Sequence, residues 1–392
     1  MRGITLAAGM LAAGLTLSGP ARADEQGVTP DTIKIGMFGP LTGPASLYGH
    51  ILLGAEALMK DVNAHGGING RKIEIIAEDD ACDPIKGVAA VKKLLYQDKV
   101  FMIDGGVCSG VSLAVKPEII KAGVPWMVVG AAATEIATPA QPTIFQASTT
   151  ASDNVNVMVD FAMSKPGITK IAIISHSDDW GKSYREPALQ RLESKYHIQP
   201  IAELRMERGS MDATPQVLQL RNSGAQVVLA MLYPAELAIF MRDGFKYGMQ
   251  IPVFGNSGVS LEDTLKRVGN PAALKNLYVY YHLAGPVDGP ELAEPRGIFQ
   301  KYYPNETIDT YTFVGMAGTR VIFHVLQGLG PDVTRAGFLA ALDKLQNFDS
   351  GVEAGPINFS PADHDGAKEG VMRRFEGDKI IALKRWSDEK GN

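Results

Sequence analysis

Residues 39–84 read GPLTGPASLYGHILLGAEALMKDVNAHGGINGRKIEIIAEDDACDP: the exit of an apolar strand, a Gly/Pro loop, an amphipathic helix, a tight turn and a second strand. The helix, read over 51–65, puts Leu52, Ala55, Leu58, Met59 and Val62 on one face and stops at Gly66-Gly67, where the backbone can leave the helix without a Cβ penalty. Two glycine-rich corners frame it. The pattern predicts that its N-terminal amides open onto a cleft, which suits an acidic or polar ligand group held without metal or catalytic base.

Working outward, short β-branched runs alternate with helical patterns: Ile33–Phe38 then 51–65, Lys72–Ala77 then 85–97, Phe101–Asp104 then 112–122, and Val124–Val129. That alternation predicts an α/β fold with a parallel, doubly wound sheet. A second series repeats it: helix 153–163, strand Lys170–Ile174, helix 182–195, strand 200–205, helix 214–223, strand Gln226–Leu232, helix 235–247 and strand Pro252–Phe254. A strand at Leu277–Tyr281 follows, then helical patterns over 290–303, 311–328 and 334–345, a polar hairpin-like stretch and a strand at Ile380–Trp386. The late helices are expected to return to the first lobe. Open α/β sheets bind ligands at the carboxyl ends of their strands, so the candidate loops are Gly39–Gly49, Gly105–Gly110, Gly130–Thr134, Ser175–Gly181, Leu232–Pro234 and Gly255–Gly258.

Residues 1–23 combine an early Arg2, an apolar stretch from Ile4 to Leu17 and the small-residue exit Ala21-Arg22-Ala23, the pattern of a secretory signal peptide cleaved near Ala23. A soluble periplasmic protein is expected, since no later apolar run is long enough to span a bilayer. The remaining chain, about 370 residues, exceeds one comfortable core and predicts two lobes. Formal charge goes from −5 to −7 once Arg2 and Arg22 leave, and Lys and Arg are scattered, which argues against nucleic acid or an anionic membrane as partner. In an exported chain the two cysteines, Cys82 and Cys108, most simply close one disulfide, with two free thiols as the alternative.

Enzymatic signatures are weak. H-E-x-x-H, C-x-x-C and G-x-S-x-G are absent, and the seven histidines stand singly. Gly181-Lys182-Ser183 resembles the end of a phosphate loop, but His176 stands where that loop needs glycine and Trp180 would obstruct the backbone. Asp363-His364-Asp365 lacks the further acidic ligands of a calcium site and reads as a solvated turn. Ser109 has no histidine at an activating motif spacing and reads as a hydrogen-bond donor. The expectation is a binding protein with no catalytic residue, cofactor or metal.

The run I-K-I-G-x-x-x-P-L-T-G-P-x-x-x-Y-G, then D-V-N-A-x-G-G-I-N-G-R-K-I-E, D-D-A-C-D-P and V-C-S-G, resembles the periplasmic solute-binding proteins of the branched-chain (hydrophobic) amino-acid uptake ABC transporters. The resemblance implies a type I bilobed fold: lobe one from 24–147 and 284–370, lobe two from 148–283 and 371–392, joined by three hinge strands. It implies a monomer that closes around a small molecule and delivers it to an inner-membrane permease. By the same similarity Cys82 and Cys108 match the family disulfide, Ser109 a carboxylate-binding serine, Tyr48 a pocket-lining tyrosine and Trp180 an aromatic of the second lobe.

Two departures redirect the ligand. Where amino-acid binders carry a threonine in a P-A-A-T-like run, this chain has Gly130-Ala131-Ala132-Ala133, with Ala132 at the threonine's place; where they carry an acidic residue in a G-P-E-G-like turn, it has Gly255-Asn256-Ser257-Gly258. A buried ammonium without a carboxylate partner would cost several kcal/mol. What remains is a carboxylate clamp at Cys108, Ser109 and the amides of Gly130, Ala131 and Ala132, facing the flat walls of Tyr48, Trp180 and Tyr233, with Ser257 on the second lobe. The expected ligand is an aromatic carboxylate, benzoate-like or hydroxycinnamate-like. A neutral amino acid or amide on the same scaffold, or a role as a ligand-presenting sensor, are the alternatives. Tyr233, Ser257 and His282 are equal candidates for meeting a ring hydroxyl, and Asp79 and Asp80 are expected to position the segment after them.

Overall fold

The strand that opens the quoted stretch, β1 (Thr32–Gly39), is buried along nearly its whole length because its Ile, Met and Phe side chains have packing partners on both faces. It is followed by α1 (His50–Ala64), β2 (Lys72–Asp79), α2 (Pro84–Lys92), β3 (Met102–Gly105), α3 (Ser109–Ala122), β4 (Trp126–Val128) and β5 (Ile144–Gln146). The computed structural model describes residues 25–377 and 379–387, so the export segment read at 1–23 lies outside the described residues. These five strands form a parallel sheet of order β2-β1-β3-β4-β5.

The second half supplies α4 (Ala151–Met163), β6 (Ile171–His176), α5 (Asp179–Tyr196), β7 (Ala202–Met206), α6 (Thr214–Ser223), β8 (Val227–Met231), α7 (Pro234–Lys246), β9 (Val253–Gly255), α8 (Leu261–Val268) and β10 (Leu277–Tyr281). Then come α9 (Ala293–Tyr302), α10 (Thr310–Leu329), α11 (Arg335–Leu342), β11 (Glu369–Glu376) and β12 (Lys379–Ser387). The second sheet has order β12-β11-β10-β9-β8-β6-β7, parallel except for the pairs that β11 makes with β10 and β12. Helices α10 and α11 return to the first sheet: Phe313, Met316, Ile322 and Phe338 share one core with Ile33, Leu52 and Met59.

Four elements differ from the sequence expectation. Strand β5 has only three residues and helix α8 only eight, too short for periodicity to register. The polar hairpin-like stretch contains strand β11, which alternates as an antiparallel strand should but is rich in arginine. Helix α3 starts at Ser109, three residues before the expected 112, because its first residues are small and polar while its capping backbone is already in place. The segment 363–365, expected to be solvated, is not: His364 is buried, stacks on Phe145 at 3.8 Å between ring centroids, and bonds Asp343 and the carbonyl of Ile144. Asp365 is buried beside it, and loss of solvation pushes its carboxyl well above the usual carboxylate range.

Candidate functional site

Every parallel-strand exit from both sheets delivers a residue to one cavity. The cavity holds about 720 Å3 of empty space, its mouth included. From the first sheet, the loop after β1 brings Tyr48, the exit of β3 brings Val107, Cys108 and Ser109, and the exit of β4 brings Gly130 and Ala132. From the second, β6 leads to Trp180 and Tyr184, β7 to Arg208, β8 to Tyr233, β9 to Ser257 and Gly258, and β10 to His282. This is the crevice position that open α/β sheets reserve for ligands.

The loop carrying Tyr48 is tethered to the end of β2, since Asp79 accepts hydrogen bonds from the amides of Leu41 (2.8 Å) and Ala81 (2.9 Å) and from the Thr42 hydroxyl. Asp80 accepts from the amide of Cys82 at 2.7 Å, and burial raises its carboxyl to about 6. Both aspartates position backbone and neither lines the cavity. Cys82 is bridged to Cys108, with Cα atoms 5.6 Å apart and a separation of 26 positions in sequence. A cross-link of that span removes about 3 kcal/mol of chain entropy from the unfolded state in the loop-closure account. It also fixes Cys108, the cap residue of α3, and with it Ser109.

The anion-binding geometry is narrower than expected. Helix α1 does not open onto the cavity: a 3-10 turn over Ser46–Gly49 runs into it, so the amide of His50 meets the carbonyls of Leu47 and Tyr48. The open helix end is that of α3, where no side chain caps the first turn. Gly130 and Ala131 are also spent, because both amides donate to the carbonyl of Gly106, at 3.1 and 3.0 Å. Ala131 is buried in the first-sheet core and does not line the cavity. The amides that converge with Ser109 are those of Ala132 and Ala133, which donate to its Oγ at 3.3 and 3.2 Å. Its hydroxyl proton remains to be given away.

Arg208, which the sequence analysis did not single out, lies against this end of the cavity. Its guanidinium donates to Asp178 at 3.1 Å and to the Tyr233 hydroxyl at 2.6 Å, sits 4.6 Å from the Tyr233 ring centroid, and approaches the Cys82 sulfur at 3.8 Å. The motif Glu207-Arg208-Gly209 reads as an ordinary exposed loop, and only the meeting of both halves of the chain gives it a role. Asp178, Asp179 and Glu207 flank an outer chamber that shares Ser109, Arg208 and Tyr233 with the cavity. No Asp or Glu lines the inner cavity itself.

The aromatic walls form a cluster. Trp180 stacks on Tyr233 with centroids 4.3 Å apart, Tyr184 is 4.7 Å from Trp180, and Tyr48 meets Tyr311 edge-on at 4.9 Å and Tyr233 at 6.1 Å. Burial raises the phenols of Tyr48, Tyr184, Tyr233 and Tyr311, so all four stay neutral. Tyr311 donates to the Gly258 carbonyl at 2.8 Å, and Ser257 is held by the side-chain amide of Asn154. Asn256 turns to the backbone, donating to the Leu232 carbonyl at 3.1 Å and accepting from Gly258 at 2.7 Å. Among the described residues no group of three His, Cys, Asp or Glu side chains could hold a metal ion, and no helix is long and apolar enough to cross a membrane.

Two α/β sheets whose strand exits converge on one aromatic cavity define a small-molecule binding protein. The periplasmic binding protein family matches residues 32–379, and the chain belongs to that family. Its fold is the type I periplasmic binding fold. Leu/Ile/Val-binding protein homolog 7 of Brucella abortus is 26% identical over 336 residues, 82% of this chain and 81% of that protein. Homolog 3 of Brucella melitensis is 28% identical over 229 residues, 58% of this chain and 62% of its own length, so that alignment spans less than two thirds of the relative. Among solved structures, a branched-chain amino acid ABC transporter protein of Thermus thermophilus with bound valine superposes with a TM-score of 0.83 at 18% identity, covering 91% of this chain and 97% of that one. A solute-binding protein of R. palustris in complex with 4-hydroxybenzoate gives 0.78 at 21% identity, covering 92% and 98%.

Proposed function

We propose that this chain is the periplasmic capture component of an ABC transporter, taking a small aromatic carboxylate of the benzoate or hydroxycinnamate type between two lobes and delivering it to an inner-membrane permease. In this reading 24–147 with 284–370 make one lobe, 148–283 with 371–392 the other, and closure about the three crossings between them traps the ligand. The observation that carries it is the charge balance of the cavity lining: one guanidinium, a serine hydroxyl with its proton still to give and the open end of α3, with no carboxylate among them. A carboxylate gains charge-assisted hydrogen bonds there, whereas an ammonium would be buried next to a cation. The Trp180, Tyr233, Tyr48 and Tyr311 rings give flat apolar walls on which a benzene ring packs edge-on or offset.

A second reading, uptake of a branched-chain amino acid, is favoured by the names of the Brucella relatives and by the valine complex of the Thermus neighbour. A thermal-shift panel separates the two. At about 100 times the dissociation constant a ligand adds about 2.7 kcal/mol by mass action. For lobes of this size that corresponds to a rise in Tm of roughly 5–10 °C. Benzoate or a hydroxycinnamate should give that rise and leucine should not. A larger shift from leucine, isoleucine or valine than from any aromatic acid at equal concentration overturns the aromatic reading.

A further inference from the structure

We propose that His282, fixed by Glu353, is a second polar anchor at the hinge-side end of the cavity, and that it selects aromatic acids carrying a ring hydroxyl remote from the carboxylate. The inference rests on the aromatic-carboxylate reading above and adds the ligand's second functional group.

The cavity has two distinguishable ends. Ser109, Cys108, Arg208, Trp180 and Tyr233 border the outer chamber as well as the cavity, so the anion-binding groups stand at the outer end. His282, Ser148 and Thr149 line the cavity only and lie where the chain crosses between the two sheets, at the inner end. A rigid ring whose carboxylate is held at Ser109 therefore points its far edge toward His282.

Two of the three groups that the sequence left as equal candidates for a ring hydroxyl are already engaged. The Tyr233 hydroxyl bonds Arg208 at 2.6 Å and Asp178 at 3.1 Å, and the Ser257 hydroxyl accepts from the Asn154 side-chain amide and pairs with the Tyr184 hydroxyl. His282 is different. Its Nδ1 is 2.8 Å from Oε2 of Glu353, and both side chains are buried, at 6% and 0% exposure. Its carbonyl is held by the amide of Ala354 at 2.6 Å, and Leu283 bridges Glu353 in the adjoining backbone, so the residue is fixed at main chain and ring. A carboxylate acceptor on Nδ1 places the proton there, which leaves Nε2 with its lone pair as the ring atom available to the cavity. A phenol is a stronger donor than an aliphatic hydroxyl and suits that acceptor.

The alternative use of the His282–Glu353 pair is to fasten the crossing strands, and affinity ratios separate the two roles. Isothermal titration of the full chain with benzoate and 4-hydroxybenzoate, and with cinnamate and 4-hydroxycinnamate, should show the hydroxylated member of the better-bound pair ahead by about tenfold. In His282→Leu and in Glu353→Gln the ratio should fall to within about twofold, since the first removes the acceptor and the second the group that fixes its tautomer. A fastening role would move both affinities together and leave the ratio intact. On the unmodified chain, 4-methoxybenzoate, which has no proton to donate, should bind no better than benzoate. If aromatic acids bind but the hydroxyl gains less than threefold, or if 4-methoxybenzoate matches 4-hydroxybenzoate, the anchor falls and the aromatic reading stands. If none of the four acids binds, the aromatic reading itself fails and takes the anchor with it.

Discussion

Replacing Arg208 by methionine is expected to weaken benzoate binding by roughly 30- to 100-fold, the loss of about 2–3 kcal/mol that follows when one charge-assisted partner of a carboxylate is removed. Methionine keeps most of the apolar stem and removes the guanidinium that lies over the Tyr233 ring, so the change is mainly one of charge. Two effects act in the same direction. The ligand loses a donor, and Asp178, which keeps the Tyr233 hydroxyl at 3.1 Å and the Gly181 amide at 2.9 Å, loses its cationic partner and leaves a negative charge near the site. Against them stands solvent, because the Arg208 side chain is 42% exposed and Asp178 35%, which holds the ion pair itself to the modest value of a surface bridge. Closure over a ligand would remove part of that water, which is why the ligand contact is expected to exceed the ion pair in strength. Titration calorimetry with benzoate and neutral benzamide makes the test specific: benzamide affinity should change only a few-fold. A benzoate affinity within threefold of the parent value would exclude Arg208 from the anion site and return the whole task to Ser109 and the open end of α3.

How much of this site could be read from the sequence depends on how local each feature is. The alternation of short β-branched runs with amphipathic helices marks most of the strands of both sheets, and the loop from Gly39 to Gly49 and the Cys82 and Cys108 positions follow from residues close in sequence. Ser109 and Ala132 are reachable by register in the same way. What escaped was set by contacts across the chain. That the Gly130 and Ala131 amides turn away while those of Ala132 and Ala133 converge on Ser109 is decided by the Gly106 carbonyl, at a glycine with a positive φ of 89°. Arg208 acquires its role from Cys82 and Tyr233, one in each sheet's set of loops. His364 looks like part of an exposed acidic turn until Phe145 and Asp343 enclose it. In each case the residue type was compatible with an exposed loop, and only tertiary juxtaposition made it otherwise.

The same limit applies to packing, and Gly54→Val shows its size. By helix propensity alone, valine or alanine at Gly54 on α1 would be an improvement, by up to about 1 kcal/mol for alanine. In the structure α1 and α10 cross at this residue with their backbones in contact. A Cβ on Gly54 would lie 1.8 Å from the carbonyl oxygen of Thr312, and the reciprocal Cβ on Gly315 would lie 2.1 Å from the carbonyl oxygen of Ile51. Those obstacles are backbone atoms inside helices and cannot swing aside, so the helices must separate by more than an ångström and open the core that Leu52, Met59, Phe313 and Met316 share. Gly54→Val should therefore cost about 3 kcal/mol or more, and Gly54→Ala should also destabilise despite its propensity gain. Urea unfolding measures both as a lower midpoint at unchanged slope. A Gly54→Ala protein as stable as the parent would refute the close crossing. The separation reaches the ligand as well, because Ile51 on α1 and Tyr311 and Val314 on α10 line the cavity. Benzoate affinity in Gly54→Ala should drop even where the protein remains folded, because the wall that its ring packs against has moved with α10.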